Sequence, residues 1–147
     1  MGLNRRSFLQ TTALAGTALS MPALSYGRVM GTNDKIRVCV IGVNSRGMNH
    51  YEGLEKNVVA MCDCDETVLG KKSEGKDIEK FIDYRKVVDS KTIDAVSIAT
   101  PNHTHSIIGI TAAMAGKDVY CEKPVSHNVW EGRQLVEAAK KLSLIHI

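Results

Sequence analysis

Glu122-Lys123-Pro124 closes a short apolar run, residues 118–121, and stands well downstream of a glycine turn, Ile41-Gly42-Val43-Asn44-Ser45-Arg46-Gly47. A lysine at the carboxyl end of a parallel strand lies at the crevice where open α/β sheets bind ligands. Its ammonium there has the charge to act on a substrate hydroxyl. The turn has the spacing of a dinucleotide cradle, with Asn44 in place of the central glycine and Arg46 within it. Gly42 makes the tight turn, Gly47 allows close helix packing, and the N–H groups at the helix start face a pyrophosphate. Asparagine tolerates left-handed backbone angles, although its side chain crowds the phosphate. Asp63 ends the next apolar run about 20 positions later, the interval at which an acid takes the adenosine ribose hydroxyls. Its charge repels a 2′-phosphate, which favours NAD over NADP. Asp65 is the alternative acid, or else a helix cap before Glu66.

These residues need a sheet to hold them together. Residues 36–41 form a β-branched run without proline, which predicts a strand buried on both faces. A helix is expected over 46–54 with Tyr51 and Leu54 inward, then a strand over 58–62. Residues 66–80 are polar with Gly70 and Gly75, and predict at most a short surface helix. A brief edge strand at 81–82 and a short helix at 84–89 follow. A buried strand at 95–99 is stopped by Thr100-Pro101, because proline cannot donate to a sheet ladder. Residues 105–115 read as a helix with Ile107, Ile108, Thr111, Ala112 and Ala115 on one stripe and Gly116 as its stop. After a strand at 119–121, Asn128-Val129-Trp130-Glu131 is a capping box opening a last helix, with Val129, Leu135, Val136, Ala139 and Leu142 on its apolar face. Repeated strand–helix–strand units predict a Rossmann-type α/β fold, a doubly wound parallel sheet in a single nucleotide-binding domain.

The chain of 147 residues has net charge +3. Arg5 and Arg6 lie in an N-terminal leader whose removal leaves +1, which is no nucleic-acid footprint. Lys71, Lys72, Lys76, Lys80 and Lys86 alternate with Glu74, Asp77, Glu79 and Asp83, the pattern of a solvated surface. Asn4-Arg5-Arg6-Ser7-Phe8-Leu9-Gln10 resembles a twin-arginine export signal. A mildly apolar stretch over 11–24 and a small-residue site at Ala23-Leu24-Ser25 complete it. The expected organisation is a signal over 1–25, a linker over 26–33, the nucleotide-binding domain over 34–141 and a non-native tail over 142–147. The tail (LSLIHI) abandons the polar face of the preceding helix, so a C-terminally truncated fragment is expected. Cys39, Cys62 and Cys121 fall in strands and Cys64 just beyond one, so packing is their default role. Cys62 and Cys64 share a strand face but lack partner ligands, and no metal is expected. His103 and His105, two apart, do not share a helix face; His105 suits either the cofactor or helix-start packing. His127 and Trp130 either border a substrate or serve as a capping segment and a core aromatic.

Four segments in order, Val38-Cys39-Val40-Ile41-Gly42, Val59-Ala60-Met61-Cys62-Asp63, Ile93-Asp94-Ala95-Val96-Ser97-Ile98-Ala99-Thr100-Pro101-Asn102-His103-Thr104-His105 and Ala115-Gly116-Lys117-Asp118-Val119-Tyr120-Cys121-Glu122-Lys123-Pro124, resemble the Gfo/Idh/MocA oxidoreductases. This glucose-fructose oxidoreductase and inositol dehydrogenase family is matched over about residues 35–141. The resemblance implies hydride transfer between a sugar or polyol and NAD(P). It implies that Lys123 hydrogen-bonds the reacting hydroxyl and stabilises developing alkoxide charge. Glu122 would position Lys123 and the nicotinamide ribose, and Thr100, Pro101 and Asn102 would line the nicotinamide end. A C-terminal domain supplying the remaining catalytic groups is absent from this sequence, so the chain alone is expected to bind NAD without turnover. Export implies contact with the twin-arginine translocation machinery and a periplasmic or extracellular location; the family implies a homo-oligomer at full length. An NAD-dependent glycosidase on the same scaffold and a non-catalytic NAD-binding module are the alternatives.

Overall fold

The computed structural model describes residues 35–142. The segments expected to be an export signal and a linker, and the tail from 143 onward, lie outside the described residues. Among the described residues five strands, β1 (Val38–Ile41), β2 (Val58–Cys62), β3 (Glu79–Phe81), β4 (Ala95–Ile98) and β5 (Asp118–Cys121), alternate with five helices. The helices are α1 (Arg46–Leu54), α2 (Glu66–Lys72), α3 (Tyr84–Asp89), α4 (Asn102–Met114) and α5 (Val129–Lys141).

All strand pairs are parallel, in the order β3-β2-β1-β4-β5. The order reverses between β1 and β4, so the carboxyl ends of these strands flank the switch point where such sheets bind ligands. Strand alternation divides the core in two. Val40 and Met61 pack with Tyr51 of α1 and Leu69 of α2, whereas Cys39, Ile41, Ala60, Cys62, Val96 and Ile98 pack with Val87 and Val88 of α3 and Ile108 and Ala112 of α4. Each fully buried aliphatic contributes about 1.5–3 kcal/mol, so helices on both faces hold the sheet. The Rossmann-type doubly wound fold is therefore present.

Several elements differ from the sequence expectation. The first strand begins at Val38 rather than residue 36, because Val38 N–H pairs with the carbonyl of Asn57, just ahead of β2, and Ile36 has no ladder partner. Leu54 is exposed at the end of α1 while Tyr51 is buried. The edge strand is Glu79–Phe81, leaving Ile82 exposed. Helix α4 starts three residues early, at Asn102: Pro101, φ −58°, is its N-cap rather than merely the stop of β4. Its buried face is His105, Ser106, Ile108, Gly109, Ala112 and Ala113, so Ile107 and Ala115 point elsewhere. In α5, Ala139 is buried, but Val129 and Val136 are exposed, and Trp130, with 68 % of its surface exposed, is no core aromatic.

Candidate functional site

A crevice of about 650 Å³ opens at the carboxyl ends of β1, β2 and β4, within the size range of ligand pockets. Gly42 forms its floor. Its φ of +87° suits glycine, and an added Cβ would stand 2.8 Å from Thr100 N and 2.9 Å from the Ala99 carbonyl carbon and oxygen. The two strand exits therefore meet at van der Waals contact. Gly47 packs one turn behind: a Cβ there would overlap the Gly42 carbonyl oxygen.

Asp63 stands at one side. Its Oδ2 accepts from Val43 N–H at 2.9 Å and its Oδ1 from Asp65 N–H at 3.0 Å. A carboxylate accepts about four hydrogen bonds, so both oxygens keep capacity for ribose hydroxyls. Asp65 instead caps α2, accepting from Thr67 and Val68 N–H. On the other side lie Thr100, Pro101, His103 and Thr104, with Ile82, Tyr84, Ile107 and Ile108 giving an apolar wall. Two helices begin at this crevice, α1 after Ser45 and α4 after Pro101, and neither has a side-chain cap. The other three are capped by Asp65, Asp83 and Asn128. Uncapped first-turn N–H groups carry the positive end of the helix dipole and suit an anion.

Of the residues expected from sequence, Gly42, Asn44, Arg46, Asp63, Thr100 and Pro101 line the crevice. Gly47 supports it from behind. The structure places four others outside its wall. Asn102 is exposed at the first turn of α4, and Lys123 is exposed just past β5. His105, 2 % exposed, turns away from the crevice, with Nε2 2.6 Å from the Thr100 carbonyl and Nδ1 2.8 Å from that of Pro124. Glu122 is drawn toward α1, where its Oε1 accepts from Arg46 Nε at 2.7 Å and from His50 Nε2 at 2.9 Å. Its Oε2 accepts from Lys123 N–H at 3.1 Å. The Arg46 and His50 hydrogen bonds, in that order, hold the Glu122 carboxyl down to about 2, so it is a carboxylate throughout the physiological range.

His50 was missed by sequence reasoning. It is 8 % exposed, and its Nδ1 lies 2.8 Å from Ser97 Oγ. The signal available was its position four residues after Arg46, on the same face of α1. Cys62 and Cys64 also line the crevice. Burial pushes the Cys62 thiol up to about 12, whereas Cys64 is exposed beyond the strand. Among the described residues no cluster of His, Cys, Asp or Glu could hold a metal.

A glycine turn between two uncapped helix starts, an acid with spare acceptor capacity and an apolar wall define a dinucleotide-binding α/β domain. The chain belongs to the Gfo/Idh/MocA family, described as an oxidoreductase family with an NAD-binding Rossmann fold, which matches residues 36–147. Myo-inositol 2-dehydrogenase of Thermotoga maritima is 32 % identical over 115 residues, covering 75 % of this chain and 34 % of that protein. A glycosyl hydrolase family 109 protein of Shewanella sp. ANA-3 is 29 % identical over 170 residues, covering 95 % and 37 %. The fold superposes on the WlbA dehydrogenase of Chromobacterium violaceum, solved with NADH and UDP-GlcNAcA, with a TM-score of 0.72 and 27 % identity, covering 78 % of this chain and 34 % of that one. The chain thus spans about a third of the length of these relatives.

Proposed function

We propose that this chain is the nucleotide-binding domain, over residues 34–141, of an exported oxidoreductase acting between a sugar or polyol and NAD. The observation that carries this reading is one crevice at the sheet's switch point with Asp63 on one side of Gly42 and Thr100-Pro101 on the other. Asp63 would accept the adenosine ribose hydroxyls. The turn residues Asn44, Ser45 and Arg46 would meet the pyrophosphate through backbone N–H groups and the guanidinium of Arg46, whose side chain is 63 % exposed. Bound NAD supplies the hydride donor or acceptor. Lys123 would hydrogen-bond the substrate hydroxyl that reacts and stabilise negative charge as it develops there. Glu122, fixed as an anion, would orient Lys123 through its main-chain N–H and reach toward the nicotinamide ribose. The Asn4–Gln10 motif would direct export of the folded protein to the periplasm or beyond.

The family 109 relative, which covers 95 % of this chain, supports a second reading: the same nucleotide crevice serving a glycosidase. The two separate in one assay. The whole protein is given NAD with a panel of sugars and polyols, and separately with nitrophenyl glycosides. Substrate-dependent NADH formation that falls at least about a hundredfold in Lys123→Ala, as for loss of a preorganised charge donor, supports the oxidoreductase. Nitrophenol release without net NADH supports the glycosidase, and NADH formation indifferent to Lys123→Ala overturns the role given to that lysine.

A further inference from the structure

Arg46 and His50 present two nitrogen donors from one face of α1 to the same oxygen, Glu122 Oε1. Arg46 is largely exposed, whereas His50 and the carboxylate are not, with side-chain exposures of 7 % and 12 %. A carboxylate only accepts, so His50 Nε2 carries the hydrogen. Its Nδ1 lies 2.8 Å from Ser97 Oγ, so both ring nitrogens are engaged. Ser97 lies on β4 facing α1, flanked by Val96 and Ile98, which face the opposite core. The Tyr120 ring of β5 meets the imidazole edge to face, centroids 5.4 Å apart. One histidine therefore ties together the helix that starts at the glycine turn, the interior strand β4 and the strand that delivers Glu122-Lys123.

We propose that His50 is a positioning residue: its Nε2–H, braced by Ser97, locks the Glu122 carboxylate against α1 and so fixes the Lys123 main chain relative to the glycine turn. This rests on the nucleotide reading above and deepens it. The other carboxylate oxygen accepts from Lys123 N–H, so a rotation of Glu122 is felt directly by the lysine's backbone. Arg46 alone cannot replace the lock, because an exposed side chain gives up much of its geometry to solvent and rotamer entropy. A buried ring with both nitrogens engaged does not.

Two variants divide the ring's contacts. Gln at position 50 can place an N–H where Nε2 was, whereas Asn reaches only the Nδ1 position. Calorimetric titration of the native chain, His50→Gln and His50→Asn with NAD and with ADP, which lacks the nicotinamide half, reads the consequence for the nucleotide. Heteronuclear NMR of the Lys123 amide without ligand reads the lock itself. The expected result is NAD affinity within about threefold of native for His50→Gln and roughly tenfold weaker for His50→Asn, the size of one lost hydrogen bond to a charged group. ADP affinity stays unchanged in both, and the Lys123 amide resonance shifts in His50→Asn only. Ser97→Ala, which removes the brace but keeps the ring, shifts it in the same direction by less, and serves if His50→Asn does not fold. Equal behaviour of the Gln and Asn variants, equal loss of NAD and ADP affinity, or a Lys123 amide indifferent to His50→Asn and Ser97→Ala overturns the proposal. A native chain that binds neither nucleotide overturns the cofactor reading instead, and the amide shift then decides the lock by itself.

Discussion

Substituting Gly42 by alanine tests the floor of the crevice. Two costs fall on this one position. The φ of +87° penalises any side chain, at about 1–2 kcal/mol. The new methyl also meets three backbone atoms of residues 99 and 100 at 2.8–2.9 Å; none is the yielding end of a side chain, so overpacking adds about 1–3 kcal/mol. The sum, about 2–5 kcal/mol, is a large share of the 5–15 kcal/mol that holds a typical domain. Gly75 separates the two costs: its φ is +71° but nothing lies within 4 Å of an added Cβ, so Gly75→Ala bears only the φ penalty of about 1–2 kcal/mol. Gly53, inside α1 with open space around it, gains about 0.5–1 kcal/mol as alanine. Urea unfolding of the three variants should rank them Gly53→Ala above native, then Gly75→Ala, then Gly42→Ala. Gly42→Ala should also lose nucleotide affinity, since the turn must move. If Gly42→Ala unfolds no more readily than Gly75→Ala, the close contact between the β1 and β4 exits is not what shapes the crevice.

Glu122→Gln addresses acid stability. The native carboxyl is held down from 4.5 to about 2 by Arg46 and His50, so its contribution is complete above about pH 4.5 and is lost as pH falls toward 2. Urea midpoints should therefore fall less steeply across that window in Glu122→Gln than in the native chain; parallel slopes contradict the hydrogen-bonded carboxylate. Thiol labelling at neutral pH should modify Cys64 first, because it is exposed, while Cys39, Cys62 and Cys121 are shielded and burial raises their thiols, Cys121 to about 11. Since Cys64 lines the crevice, saturating NAD should slow that reaction, and an unchanged rate places the nucleotide elsewhere.

Much of this fold was legible because buried parallel strands are continuous apolar runs and each ends at a turn residue with its own chemistry. Gly42, Asp63 and Thr100-Pro101 were found for that reason, and the structure sets all of them around one crevice. The failures share a cause. Ile107 was placed on the helix's apolar stripe, yet with 56 % of its surface exposed it forms crevice wall. His105 suited either the cofactor or packing at the helix start, and the structure buries it there, with its ring nitrogens beside the Thr100 and Pro124 carbonyls. Side-chain polarity alone does not distinguish a ligand wall from a core, or a buried imidazole from a binding one. His50 was invisible for a different reason: its partners Ser97 and Glu122 lie 47 and 72 positions away in sequence, and only the sheet order brings them together. The expected inward face of α5 failed in part, because only its Leu135–Ala139 side is covered.

The central claim is that Asp63 and the glycine turn hold NAD in the crevice. Calorimetric titration of the native chain and of Asp63→Asn with NAD and NADP tests it most directly. The account predicts that the native chain binds NAD at least about tenfold more tightly than NADP, a difference of about 1.4 kcal/mol, and that Asp63→Asn weakens NAD and narrows the gap. A native chain with no affinity for NAD, or one that binds NADP as tightly as NAD, contradicts it.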